Sequence, residues 1–258
     1  MRRKNTATVA EEKATLEELM TACFHDPSAE PAFFEALLGA IVYAHKPCND
    51  SSPFIRLVQF PHPKTGALLL PFFTDLRQAQ AASSSHVEIV KMTGRELFEA
   101  TLGAVLILNP NDRYCLIYPE EVQLILAGTA IPPVRPLNKD EEGPIELEPA
   151  AGECGWLIKP LREVFAQIAG IVSAALGQRV GVEVGKAPDL VIVAVVSTSD
   201  EERVVHAATA VLADACERYG ANVDIGTIHP EEANPWASLP TFYARPDDMT
   251  EAKNQSIH

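Results

Sequence analysis

No apolar run in the 258-residue sequence is long: the longest, Leu190 to Val196, falls far short of the ~18 to 20 residues a membrane-spanning helix needs. That length suits a buried strand, and no membrane role is expected. Cysteine is scarce and unpaired in spacing. Five residues, Cys23, Cys48, Cys115, Cys154 and Cys216, predict reduced thiols in a cytoplasmic protein rather than a disulfide framework. Basic residues are also few, 21 Lys and Arg against 35 Asp and Glu, for a formal charge of −14. That balance opposes attraction to phosphate backbones and anionic lipid, so no nucleic-acid partner is expected. The start Met1-Arg2-Arg3-Lys4 is basic but lacks the apolar stretch of a signal peptide, and no secretion is predicted. What remains is ample core material: 47% of residues are hydrophobic, which excludes disorder as the main state.

Composition along the chain predicts two modest α+β units. Residues 1–14 read as a flexible N-terminus, 15–131 as a first domain, 132–153 as an acidic, proline-rich linker, 154–246 as a second domain and 247–258 as a tail. In the first, Thr15-Leu16-Glu17-Glu18 and Thr93-Gly94-Arg95-Glu96 are capping boxes. Phe33, Phe34, Leu37 and Leu38 line one face of a second helix that stops at Gly39. Ile41–Ala44, Ile55–Phe60, Leu68–Phe73, His86–Val90 and Ala104–Leu108 read as strands, the second and third as a hairpin. Thr74 is expected to cap a short helix over 75–82, and Pro119 to launch one that Gly128 ends. In the second, a helix is predicted from Pro160 to Gly177, then strands at Arg179–Val184 and Leu190–Val196, a helix from Ser199-Asp200-Glu201-Glu202 to Tyr219, and a strand at Asn222–Ile228. The expected fold is thus two small α/β sandwiches, each with helices packed on a mixed or mainly antiparallel sheet.

Chemistry-bearing motifs are thin. Cys23-Phe24-His25, His45-Lys46-Pro47-Cys48 and His62 do not have the paired spacing of a zinc knuckle, so no metal is expected. Gly181 to Ala187 misses the phosphate-loop pattern, having three residues between its glycines and Ala187 where Ser or Thr belongs. Neither G-x-G-x-x-G, H-E-x-x-H nor G-x-S-x-G occurs. No cofactor and no catalytic residue is assigned. Cys115 and Cys216 read as small core residues, Cys154 has an acid beside it, and the pairs Glu17-Glu18, Glu120-Glu121 and Glu201-Glu202 fall in first helical turns, where the dipole favours them. The most unusual stretch is 234–245, in which Trp236, Phe242, Tyr243 and Arg245 concentrate residue types enriched at binding hot spots. These four are either a docked terminal strand or a partner contact.

The Phe33-Phe34-x-x-Leu37-Leu38 helix leading into Val42-Tyr43, the segments Leu70-Pro71-Phe72-Phe73-Thr74-Asp75-Leu76 and Leu106-Ile107-Leu108-Asn109-Pro110, and the Thr241-Phe242-Tyr243-Ala244-Arg245 ending together resemble the SseB (enhanced serine sensitivity) family. The resemblance extends over both units, as an N-terminal and a C-terminal SseB-like domain, and departs at Thr241, where the family usually has Pro. The family label records a growth phenotype rather than a chemistry. The resemblance implies a two-domain protein and leaves the mechanism open; with no catalytic constellation of the right spacing, binding or regulation is expected, with a protein partner favoured over a small molecule. The rivals are an enzyme whose Cys and His residues come together from distant segments, and an adaptor or effector of a secretion system.

Overall fold

The computed structural model describes residues 15–49, 52–63, 65–131, 145–180, 189–197 and 200–245, and shows an α+β protein built on two mixed sheets. The assigned N-terminus, tail and most of the linker lie outside these residues, as do Ser199 and the Gly181 to Ala187 motif.

In the first half, α1 (Leu16–Cys23) and α2 (Glu30–Gly39) precede β1 (Ile41–Pro47), β2 (Phe60–Pro61), β3 (Leu68–Phe73), α3 (Leu76–Ala81), β4 (Val87–Thr93), α4 (Gly94–Ala100), β5 (Val105–Leu108), β6 (Cys115–Ile117) and α5 (Pro119–Ala127). Both expected capping boxes form, at Thr15 with Glu18 and at Thr93 with Glu96. Strand order is β4-β1-β3-β5-β6, with β2 on β3; β3 and β5 run parallel and the other pairs antiparallel. Leu70, Phe72, Leu106, Leu108 and Ile117 turn to one face, where Phe33, Leu37, Leu97, Phe98 and Val122 of the helices close over them.

Three expectations change here. The strand expected over Ile55–Phe60 shrinks to Phe60–Pro61, which pair with Leu69 and Leu68, while the Val58 amide instead donates to the His45 carbonyl of β1 at 2.8 Å. Asp75, not Thr74, caps α3, its carboxylate accepting from the Arg77 amide at 2.6 Å. Thr74 is engaged by buried Asn109 instead, whose amide carbonyl accepts from the Thr74 N–H at 3.1 Å. Cys115–Ile117, not foreseen as a strand, forms the sheet's far edge.

In the second half, β7 (Leu147–Pro149) precedes α6 (Gly155–Phe165), β8 (Ile171–Arg179), β9 (Asp189–Val196), α7 (Glu201–Tyr219), β10 (Asn222–Ile228) and β11 (Thr241–Ala244). The order is β10-β9-β8-β11, with β7 also on β8; only β9 and β10 are parallel. Helices α6 and α7 cover one face through Leu157, Leu161, Phe165, Val204, Ala208 and Leu212.

The helix expected from Pro160 to Gly177 ends at Phe165, with Pro160 inside it. Residues 171–179 are instead a central strand apolar on both faces, a pattern that periodicity alone does not separate from a buried helix. Gly170 lies between the two, and only glycine fits there, since a Cβ would overlap the Asp200 carboxylate and the Ser197 hydroxyl. Gly177 is a strand residue against which Leu239 packs, not a helix stop. β7 lies inside the stretch assigned to the linker, because three residues suffice to pair with β8 despite Pro149.

Candidate functional site

Phe242, Tyr243 and Arg245 lie on or directly after β11, Trp236 lies on the opposite face of the same sheet, and each of the four has an intramolecular partner. Phe242 is buried, its ring 6.1 Å from that of Phe165, and its carbonyl accepts from Arg162 Nε at 2.6 Å. The Tyr243 hydroxyl donates to the Phe165 carbonyl at 3.2 Å, and Arg245 donates to the carbonyls of Ile171 and Ile168. Trp236 packs with Leu239, Val191, Val193 and Ile228 on the sheet's other face. The docked-strand alternative describes this geometry.

Apolar surface without such partners lies in the first half. Ile55 is 67% exposed and Leu102 60% exposed, and the two line a groove of about 360 Å³ with Leu57, Leu70 and Met92. Gln59, Gly103 and Ala104 carry this groove into a larger cavity of about 840 Å³. Its floor is the face of the first sheet turned away from α1, α2, α4 and α5, at Leu69, Val105 and Leu116. Its roof belongs to the second half: Gln167 and Ala169 after α6, and Asp200 to Arg203 where α7 begins. Tyr114, His62 and Thr65 stand at its sides. The groove is thus apolar, and the cavity adjoining it has Asp200, Glu201 and Glu202 along its roof.

The two halves are joined beside this cavity by α5 against α7. His206 Nδ1 donates to Glu121 Oε1 at 2.6 Å, and the Tyr118 ring lies 5.2 Å from the imidazole. Glu121 is buried, and its other oxygen accepts from the Tyr118 amide, so its place is fixed by the start of α5. Burial alone draws the His206 pKa down, but the hydrogen bond to Glu121 and the charges of Glu121, Glu202 and Glu30 outweigh it and raise the value above the ordinary 6.5. Glu30 is pushed up by its burial and by Glu121. Arg203 and Glu120 pair more loosely at 3.6 Å, and Glu120 Oε2 and Arg203 Nε are buried without a hydrogen-bond partner among the described residues.

The thiols are poorly placed for nucleophilic chemistry. Burial, with Glu121 and Glu30 behind it, pushes Cys115 up to about 12, and burial also raises Cys23, Cys154 and Cys216. Among the described residues, no group of three or more His, Cys, Asp or Glu side chains is gathered for a metal. His45 donates to the Ala79 carbonyl at 2.9 Å, and His62 Nδ1 accepts from the Thr65 amide at 3.3 Å. No helix among these residues is long and apolar enough to cross a membrane.

Comparison with known proteins matches residues 16–123 to the family described as SseB protein N-terminal domain. Over 131 residues the chain is 30% identical to Protein SseB of Escherichia coli (strain K12) and equally to Protein SseB of Shigella flexneri, covering 48% of this chain and 50% of each relative. The chain spans about half the length of the curated relatives it matches. No solved structure matches.

Proposed function

The chain belongs to the SseB family, and we propose that it acts by binding: it holds a protein partner in the cleft that begins at Ile55 and Leu102 and runs under the start of α7. The observation that carries this reading is that the apolar groove and the larger cavity adjoin, since Gln59, Gly103 and Ala104 line both. Two large aliphatic side chains more than half exposed around a groove are the surface expected of a contact site. The acidic end at Asp200, Glu201 and Glu202 favours a partner segment that follows its apolar residues with a basic one. The raised pKa values of Cys115, Cys23, Cys154 and Cys216 leave these thiols little thiolate at neutral pH, which favours a regulatory role over catalysis by them. Five free cysteines fit a reducing compartment such as the cytoplasm.

The test starts with the full chain as bait and mass spectrometry to identify what it holds. Binding is then measured with both purified proteins, for the native chain and for Leu102→Asp and Ile55→Asp. Each substitution is expected to weaken binding by more than about tenfold, the scale of a hot-spot loss above ~1.4 kcal/mol. A partner bound equally well by both variants would overturn the reading, as would the absence of any stoichiometric partner.

A further inference from the structure

The sheet edges differ in how they are protected, and that difference points to a second interaction surface. β4 presents Glu88 and Lys91, both exposed; β6 and β7 are three residues each; β11 is four residues with a register break between Thr241 and Tyr243. Charges, shortness and irregularity are the usual means by which an edge is kept from pairing. β10 is neither short nor irregular, and its single charge is neutralised within the chain. Its seven residues Asn222–Ile228 contain no Lys or Pro, their register with β9 is unbroken, and among the described residues β10 pairs with β9 alone. Its one charged residue, Asp224, is already bonded to Arg179 at 2.7 Å.

We propose that β10 is the seam of a symmetric dimer, pairing antiparallel with β10 of a second copy of this chain about Ile225 and joining the two C-terminal sheets into one. The strand is self-complementary in that register. Ile225 faces Ile225, Val223 faces Thr227, and Asp224 faces Gly226, so neither carboxylate meets its like. A slip that centred the pair on Asp224 would set two carboxylates opposite each other. Ile225 and Val223 pack toward the core under α7. Beside them lies a groove of about 630 Å³ whose helix side is made by Thr209, Leu212, Ala213 and Cys216. The short side chains of Thr209, Ala213 and Cys216 leave room for the partner's Ile225 and Val223 on the same face. A two-fold pair of identical strands is isologous and closes on itself, so the assembly stops at two.

Sedimentation of the full chain at micromolar concentration is expected to give a dimer, and three substitutions at Gly226 locate its seam. A Cβ at Gly226 meets only the Ile192 carbonyl, at 3.9 Å, so each protomer accepts a side chain there. Gly226→Asp sets two pairs of carboxylates opposite each other and is expected to weaken the dimer roughly tenfold relative to Gly226→Asn, which matches its shape without its charge. Gly226→Lys places an amine opposite the partner's Asp224 and is expected to dimerise at least as well as Gly226→Asn, in a salt-dependent way. A native chain that sediments as a monomer overturns the proposal. So does a dimer whose dissociation is the same for Asp, Asn and Lys, or a monomer that takes up an unrelated extended peptide along β10.

Discussion

The two sheets are covered alike on one face and differently on the other. Each packs helices over a single apolar face. On its second face the C-terminal sheet is sealed by its own chain, as the segment between β10 and β11 lays Trp236 and Leu239 over Ala175, Val191 and Val193. The N-terminal sheet is only partly closed there. α3 covers the region of His45, Phe73 and Ala79, while Leu69, Val105 and Leu116 border a cavity that the other half roofs. Trp236 on the sealed face therefore serves stability, as Phe242 does under the helices, and aliphatic residues at the open face are left to serve contact.

The largest expected effect is on the sealed half. Phe242→Ala empties a buried site against Phe165 and should lower stability by about 3 to 5 kcal/mol, read from denaturant melts. If the melt moved by less than about 1 kcal/mol, the docked strand would not be what closes that half. Next comes the closed face of the first sheet. Gly94 opens α4 against α2, and a Cβ there would overlap the Leu37 carbonyl, which is backbone and has little freedom to yield. Gly94→Ala should cost about 1 to 3 kcal/mol, detected in the same melts.

A smaller effect belongs to the junction. The raised pKa of His206 means that the protonated imidazole is bound better in the folded chain than in the unfolded one. Its contribution is fully present below the unfolded value of about 6.5 and is lost as pH rises through the higher folded value. Glu30 acts in the same direction over a more acidic range, since its raised pKa penalises the ionised form. The α5–α7 contact should thus weaken as pH is taken from about 6 to 8. Hydrogen exchange of α5 and α7 amides at the two pH values measures this, and His206→Gln should abolish the difference. A contact that tightened with pH would contradict the sign.

Much of the fold was legible because its signals are local. The boxes at Thr15 and Thr93, Pro119 with Gly128, and Gly220 after Tyr219 mark helix ends by short-range hydrogen bonding and backbone freedom. The Pro160–Gly177 helix failed because its last third is buried on both faces, and only the approach of Asp200 to Gly170 and of Leu239 to Gly177 separates strand from helix. Those neighbours are distant in sequence. The cleft was illegible for the same reason: Ile55 and Leu102 stand far apart along the chain, and His206 meets Glu121 across 85 positions. One signal was present, an apolar Phe54-Ile55 pair directly after Ser51-Ser52-Pro53, where a solvated loop would ordinarily be polar.

The smallest expected effect on stability is at the open face, and it separates a contact surface from a structural one most sharply. Leu102 is mostly exposed and Ile55 more so; replacing either by Asp removes little buried area and places the carboxylate in water. Leu102→Asp should therefore leave the denaturant midpoint within about 0.5 kcal/mol of the native chain, the ordinary range for surface changes. Phe242→Ala is the reference at the other extreme, and the two variants should exchange rank between assays. Leu102→Asp should be the one that loses the partner while keeping the fold, because a charge desolvated inside an apolar groove has no compensating hydrogen bond. If Leu102→Asp instead destabilised the chain by more than about 2 kcal/mol, the groove would be part of the core, and both sheets would be sealed by their own chain.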